Sequence, residues 1–252
     1  MGYLKEVPSF NMPAKTTGMK GRPITREEFE RLQAQTVAVV GAELAADWAN
    51  DLEGLWWSGL RLGEATILHW WDDRQLAVDL TGRRPMFRIQ AASEKGGRFR
   101  MLPMAPEFAE WLQRQPEDRR SGFVFQFRSS EGLDRLSTDW VSKLISRMGE
   151  KAGVKVSERR KVQGGKLVDE IKYASAHDFR RAFGYRWSTR VMPPVLMEMM
   201  RHASITTTME FYVGRNGEAA ADQIWQAFAN ETANSRATQE QRESRPESKD
   251  IA

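Results

Sequence analysis

The chain has 252 residues, 40% of them hydrophobic, which suits one large or two small domains with a real core. It contains no cysteine and only three histidines, without metal-binding spacing. Disulfides and thiolate metal sites are therefore excluded, the scattered histidines argue against a structural zinc, and no cofactor is called for. No stretch nears the roughly 20 apolar residues of a membrane span and no signal-peptide core opens the chain, so the expectation is a cytoplasmic protein with no membrane partner. A net charge of +4 points towards a polyanionic partner.

Residues 1–22 are rich in Pro, Gly and Lys without periodicity and read as an arm or linker. Thr25, with Glu28 three residues later, forms a capping box that starts a helix carrying Phe29, Leu32, Thr36 or Val37, and Val40 at helical spacing. Gly41 interrupts it, and a second helix is predicted from Ala42 to Trp57. The segment Ser58-Gly59-Leu60-Arg61-Leu62-Gly63-Glu64 follows. Gly59 permits a tight turn that puts Arg61 in the first turn of a helix, where Glu64, three residues on, can pair with its guanidinium. His69 to Asp73 is expected to close that helix, with His69 structural. Trp56, Trp57, Trp70 and Trp71 read as core rather than as base-stacking platforms.

Between Gln75 and Pro103 the period changes. Leu76–Leu80, Met86–Ile89 and Phe99–Leu102, separated by Gly-containing turns, read as a three-stranded antiparallel meander with Lys95 in its second turn. A short helix over Phe108–Gln113 and a small strand or loop at Phe123–Phe125 come next. Ser137 caps a helix running to about Lys151 and ended by Gly153. Residues 158–171, with Gly164-Gly165, read as a basic loop or hairpin. Arg159, Arg160 and Lys161 there, and Arg181 further on, are candidate phosphate contacts in a run dense in Lys and Arg.

His177 and Arg180 lie three apart on a helix predicted from Asp178 to about Arg190, so they face the same way. Pro193-Pro194 opens the next helix. His202 follows it, and Ser204 caps a last short helix that carries Tyr212, whose hydroxyl can act as a covalent nucleophile. Residues 219–229, with Ile224, Trp225 and Phe228, are amphipathic, to be docked either on the chain's own core or on a neighbour. Residues 231–252 are almost free of apolar side chains and are expected to be disordered.

The succession Gly59-Leu60-Arg61…Glu64, Lys95 at a hairpin tip before Leu102-Pro103, His177-x-x-Arg180, His202 and Tyr212 resembles the tyrosine recombinases of the phage-integrase family, over roughly Thr25 to Phe228. The resemblance implies a mainly α fold with a small antiparallel β-sheet, a catalytic domain over residues 23–230, and six catalytic residues: Arg61, Lys95, His177, Arg180, His202 and Tyr212. It implies site-specific cleavage and rejoining of double-stranded DNA through a 3′-phosphotyrosine, without metal or ATP. It also implies a prokaryotic or phage setting and a homo-oligomer, a tetramer on DNA, assembled through the C-terminal helix. Two positions depart from the family pattern: Arg181 stands where histidine is common, and Arg201 where glycine is common. An additional helical N-terminal domain is usual in the family, where this sequence has an arm. Alternatives are a type IB topoisomerase, in which lysine usually takes the place of His177, and a DNA-binding regulator without catalysis.

Overall fold

The computed structural model describes residues 21–72, 76–90, 99–129, 132–163, 166–212 and, further on, 221–222, 224–226 and 228–229. Helix α1 (Arg26–Gln33) begins at the predicted capping box: Thr25 Oγ1 accepts from the Glu28 N–H, and the Glu28 carboxylate accepts from the Thr25 N–H. The helix breaks earlier than its periodicity predicts. Ala34 and Gln35 form a turn before α2 (Thr36–Val40); Phe29 and Leu32 of α1 and Thr36 of α2 are buried, while Val37 is exposed. Arg22 belongs to the folded part, paired with Glu28 and donating to the Lys155 carbonyl.

Helix α3 (Ala42–Ser58) is the central element, and its buried Trp48, Leu52, Leu55 and Trp56 form the spine of the core. Trp56 stacks on Phe29 and meets Phe179 edge-on. A second aromatic row, Phe87, Phe108, Trp111, Phe125 and Phe127, closes the other side. Such rings supply large buried areas at low entropic cost. Gly59 ends α3 with φ +64°, in the left-handed region that glycine enters without penalty.

Helix α4 (Leu62–Ala65) is a single turn, much shorter than predicted. His69 lies beyond it and pairs with the backbone of Ala77 and Phe123 instead of closing a helix. Its structural role holds: Nδ1 accepts from the backbone N–H groups of Trp71 and Asp72. Trp56 and Trp70 are core as expected, but Trp71 is exposed.

The meander is present as β1 (Ala77–Asp79), β2 (Met86–Ile89) and β3 (Arg100–Pro103), antiparallel in that order. Helix α5 (Pro106–Arg114) and a small hairpin of β4 (Arg128–Ser129) and β5 (Gly132–Arg135) follow; the sequence reading missed the hairpin. Helix α6 (Thr138–Lys151) is capped by Ser137. The basic run is a true hairpin, β6 (Lys155–Gln163) against β7 (Lys166–Tyr173). Then come α7 (Ala176–Ser188), α8 (Pro193–Met200) and α9 (Ile205–Tyr212). Phe183, Leu196, Met199 and Met200 pack into a smaller cluster that fixes α8 on α7. The outcome is the mainly α fold with small antiparallel sheets that the sequence implied.

Candidate active site

Two arginines 119 positions apart in sequence are brought to one turn of chain at the end of α8. Arg180, on the inner face of α7, is only 3% exposed. Its Nη1 donates to the Gly59 carbonyl at 2.5 Å and its Nη2 to the Met200 carbonyl. Arg61 is the N-cap residue of α4, one position before the expected helical turn, and its side chain is half exposed. Its Nη1 pairs with Glu64 Oε1 at 2.9 Å, as the spacing predicted, and its Nη2 donates to the Arg201 carbonyl at 3.2 Å. Successive carbonyls, those of Met200 and Arg201, therefore each hold one of the two guanidiniums.

Glu64 is the anionic centre of this arrangement. Burial pushes its carboxyl up, but Arg201, the Arg61 N–H, Arg180 and Arg61 outweigh that, and the group is held below the usual carboxylate range. Arg201 contributes most. Its Nη2 lies 2.7 Å from Oε2 and its Nε 3.2 Å from Oε1, a two-point contact that sequence spacing could not reveal. The backbone at Arg201 has φ +48° and ψ +47°, a left-handed conformation that costs a non-glycine residue about 1–2 kcal/mol.

His202 follows directly. Its Nδ1 is 2.9 Å from Thr208 Oγ1 in α9, and its pKa is lowered to about 4, first by burial and then by Arg180, Arg61 and Arg201. Thr208 and Tyr212 are four residues apart in α9, so the two positions share one helix face, about one turn apart. Tyr212 thus occupies a position on the side of α9 that meets His202; its side chain lies outside the described set. His177, in the first turn of α7, is an exposed residue. Desolvation, then Arg181, lowers its pKa to about 4, with Arg180 and Lys172 acting the same way and Asp178 opposing. Both histidines are neutral at pH 7.

A cavity of about 330 Å³ adjoins the arginines, walled by Ile89, Arg100 and Leu102 of the meander on one side and by Met197 of α8 on the other. Lys95 lies outside the described residues, and so does Arg98, three positions on, the other basic residue that could serve in its place. Ile89 and Arg100, the end of β2 and the start of β3, both line the cavity.

Two expectations about DNA contacts change. Arg181 is not offered to DNA: it is buried and ion-paired with Asp178, which also accepts from the Ser175 N–H and hydroxyl. The hairpin is less uniformly basic than the linear sequence, because pairing sets Glu170 opposite Arg159 and Asp169 opposite Arg160. Arg160 Nε lies 3.5 Å from Asp169, both exposed. Lys161 stands opposite uncharged Val168. Ile224, Trp225 and Phe228, which could have docked on the chain's own core, are 69%, 70% and 62% exposed.

The sequence profile of the phage integrase family matches residues 20–218. The chain belongs to the phage integrase family. Among solved structures, it is similar to a XerA recombinase (TM-score 0.50, 20% identity, covering 89% of this chain and 67% of that one). It is also similar to the Tn1549 transposon integrase in complex with transposon right-end DNA (TM-score 0.52, 17% identity, 84% and 67%). A third likeness is to a lambda integrase dimer bound to a COC′ core site (TM-score 0.54, 15% identity, 82% and 64%). At these identities the likeness is one of fold, and the chain spans about two thirds of the length of these integrase-family structures. A search of curated proteins gives no significant match. Among the described residues no helix is long and apolar enough to cross a membrane.

Proposed function

We propose that this integrase-family chain is a site-specific DNA recombinase that cuts and rejoins strands through a covalent phosphotyrosine. The observation that carries the reading is the convergence of Arg61, Arg180 and His202 on the turn between α8 and α9, with Tyr212 placed one turn beyond the His202 contact. The relatives bound to DNA support double-stranded DNA as the partner.

In this reading Arg61 and Arg180 bind the non-bridging oxygens of the scissile phosphate. Their positions are fixed beforehand by backbone carbonyls, so charge that builds in the transition state meets donors that need no reorganisation. The Tyr212 oxygen attacks phosphorus, the bond to the 5′ oxygen breaks, and a 3′-phosphotyrosine and a 5′-hydroxyl result. A phenol with pKa near 10 needs a proton acceptor at neutral pH, and His177, held neutral, fills that role. His202 donates to the phosphate through Nε2–H when Nδ1 accepts from the Thr208 hydroxyl. Lys95 protonates the leaving 5′ oxygen. Rejoining reverses these steps, so the bond energy is kept in the protein–DNA link and no nucleotide is consumed. The exposed Ile224, Trp225 and Phe228 form the surface through which protomers assemble on DNA.

Incubation with linear DNAs carrying paired candidate sites tests the reading against its nearest rival. Recombinant products that depend on two sites are expected. Relaxation of supercoiled DNA without any exchange of flanks would identify a topoisomerase instead.

A further inference from the structure

Arg201 is the residue that the family pattern leaves without a task. Its backbone is left-handed, and it is the one non-glycine residue with positive φ among those described. A residue kept in such a conformation is held there by its surroundings, and the observed outlier is a reason to ask what it does. Here the surroundings are specific. The guanidinium lies 5.5 Å from the Phe87 ring and makes the two-point contact with Glu64 described above. Its side chain is 9% exposed. Arg61 shares the same carboxylate, and Arg180 Nη1 stands 4.0 Å from Glu64 Oε2.

We propose that Arg201 is a positioning residue of the phosphate-binding centre: its side chain neutralises Glu64, and its carbonyl holds Arg61, so that Arg61 and Arg180 keep their charge for the scissile phosphate. The inference rests on the recombinase reading. One carboxylate among three guanidiniums leaves two positive charges, which matches the two negative charges that a phosphodiester gathers on nucleophilic attack. Without the Arg201 side chain a single positive charge remains. Glu64 then competes with the phosphate for the donors of Arg61, and its Oε2, 4.0 Å from Arg180 Nη1, loses the guanidinium that had engaged it and can draw Arg180 instead. A planar guanidinium suits this task because it meets both carboxylate oxygens at once. Glycine would supply the same carbonyl with less backbone strain, so what the arginine adds is its side chain.

The test measures single-turnover covalent cleavage of nicked DNA beside non-covalent DNA affinity. Arg201→Ala and Arg201→Gly should each slow cleavage by about 10–10²-fold, by analogy with removal of one preorganised donor, while affinity stays within about twofold. Arg201→Lys should recover part of the rate, because an ammonium meets Glu64 at one point. Glu64→Gln combined with Arg201→Ala should cleave no more slowly than Glu64→Gln alone, since without the carboxylate there is nothing to neutralise. Parental rates in both the alanine and glycine variants would overturn the proposal. So would losses that multiply in the double variant, or an affinity loss as large as the rate loss. If the alanine variant does not fold, the lysine variant decides: a rate equal to the parent's contradicts the two-point contact. Absence of any covalent product from the parent chain would refute the recombinase reading itself, a distinguishable result.

Discussion

Gly59→Ala tests how the end of α3 holds Arg180. The residue has φ +64°, and a Cβ added there would lie 2.5 Å from the Phe183 ring. The left-handed backbone costs about 1–2 kcal/mol with a side chain present. Overpacking against a buried ring costs roughly 1–3 kcal/mol more. The sum, roughly 2–5 kcal/mol, corresponds to a fall in melting temperature of roughly 4–20 °C for a chain of this size. The Gly59 carbonyl also accepts from Arg180 Nη1, so a shift that relieves the clash moves the guanidinium. A displacement near 1 Å can cost about 10²-fold in rate. Denaturant unfolding and cleavage per folded molecule should therefore both fall. Gly63→Ala is the control, because its Cβ would meet nothing within 4 Å. It lies within α4 and should stabilise by about 0.5–1 kcal/mol. A Gly59→Ala protein that melts like its parent would refute the steric argument. One that is destabilised yet cleaves normally when folded would show that the carbonyl does not position Arg180.

Neutralising Arg159, Arg160 and Lys161 together should weaken binding to all DNA sequences and flatten the log–log salt slope by about one unit for each phosphate these side chains neutralise; an unchanged slope removes the hairpin from the DNA surface. The pH profile follows from the two histidines. Their pKa values are depressed to about 4 in the folded chain and are near 6.5 when unfolded. Their contribution to stability is complete above pH 6.5 and is lost as pH falls towards 4, where the unfolded chain binds protons that the folded chain excludes. Cleavage should accordingly stay flat as pH drops through 6.5, and a rate that halves there would mean that a catalytic histidine titrates normally. For Lys95, a substrate with a 5′-bridging sulfur should restore cleavage to Lys95→Ala, because a thiolate leaves without protonation, but should do little for Arg180→Ala. Equal defects of Lys95→Ala on oxygen and sulfur substrates would turn attention to Arg98.

Much of the fold was legible because its signals are local. The Thr25–Glu28 capping box, the glycine turn after α3, the alternating strands and the Pro193-Pro194 helix start are each decided by a few adjacent residues. What could not be read depends on distant partners. The break at Ala34 and Gln35 and the single-turn length of α4 follow from packing, and His69 leaves the helical path to pair with Ala77 and Phe123. Charge was misjudged for the same reason. Arg181 looks like one more cation in a basic run until α7 buries it against Asp178. The candidate site was visible as an order of residue types, and the Arg61–Glu64 pair followed from spacing alone. The task of Arg201 was not visible, since neither its left-handed backbone nor its reach across 137 positions to Glu64 has a local signature.

The central claim is that Tyr212 is the nucleophile. Nicked DNA that releases a short fragment on cleavage traps the covalent intermediate, and the adduct survives denaturation in SDS. The account predicts such an adduct with the parent chain, attached at Tyr212. Tyr212→Phe should abolish it while non-covalent DNA binding persists. An undiminished adduct in Tyr212→Phe, or attachment at Tyr173 or Tyr185, would contradict the account.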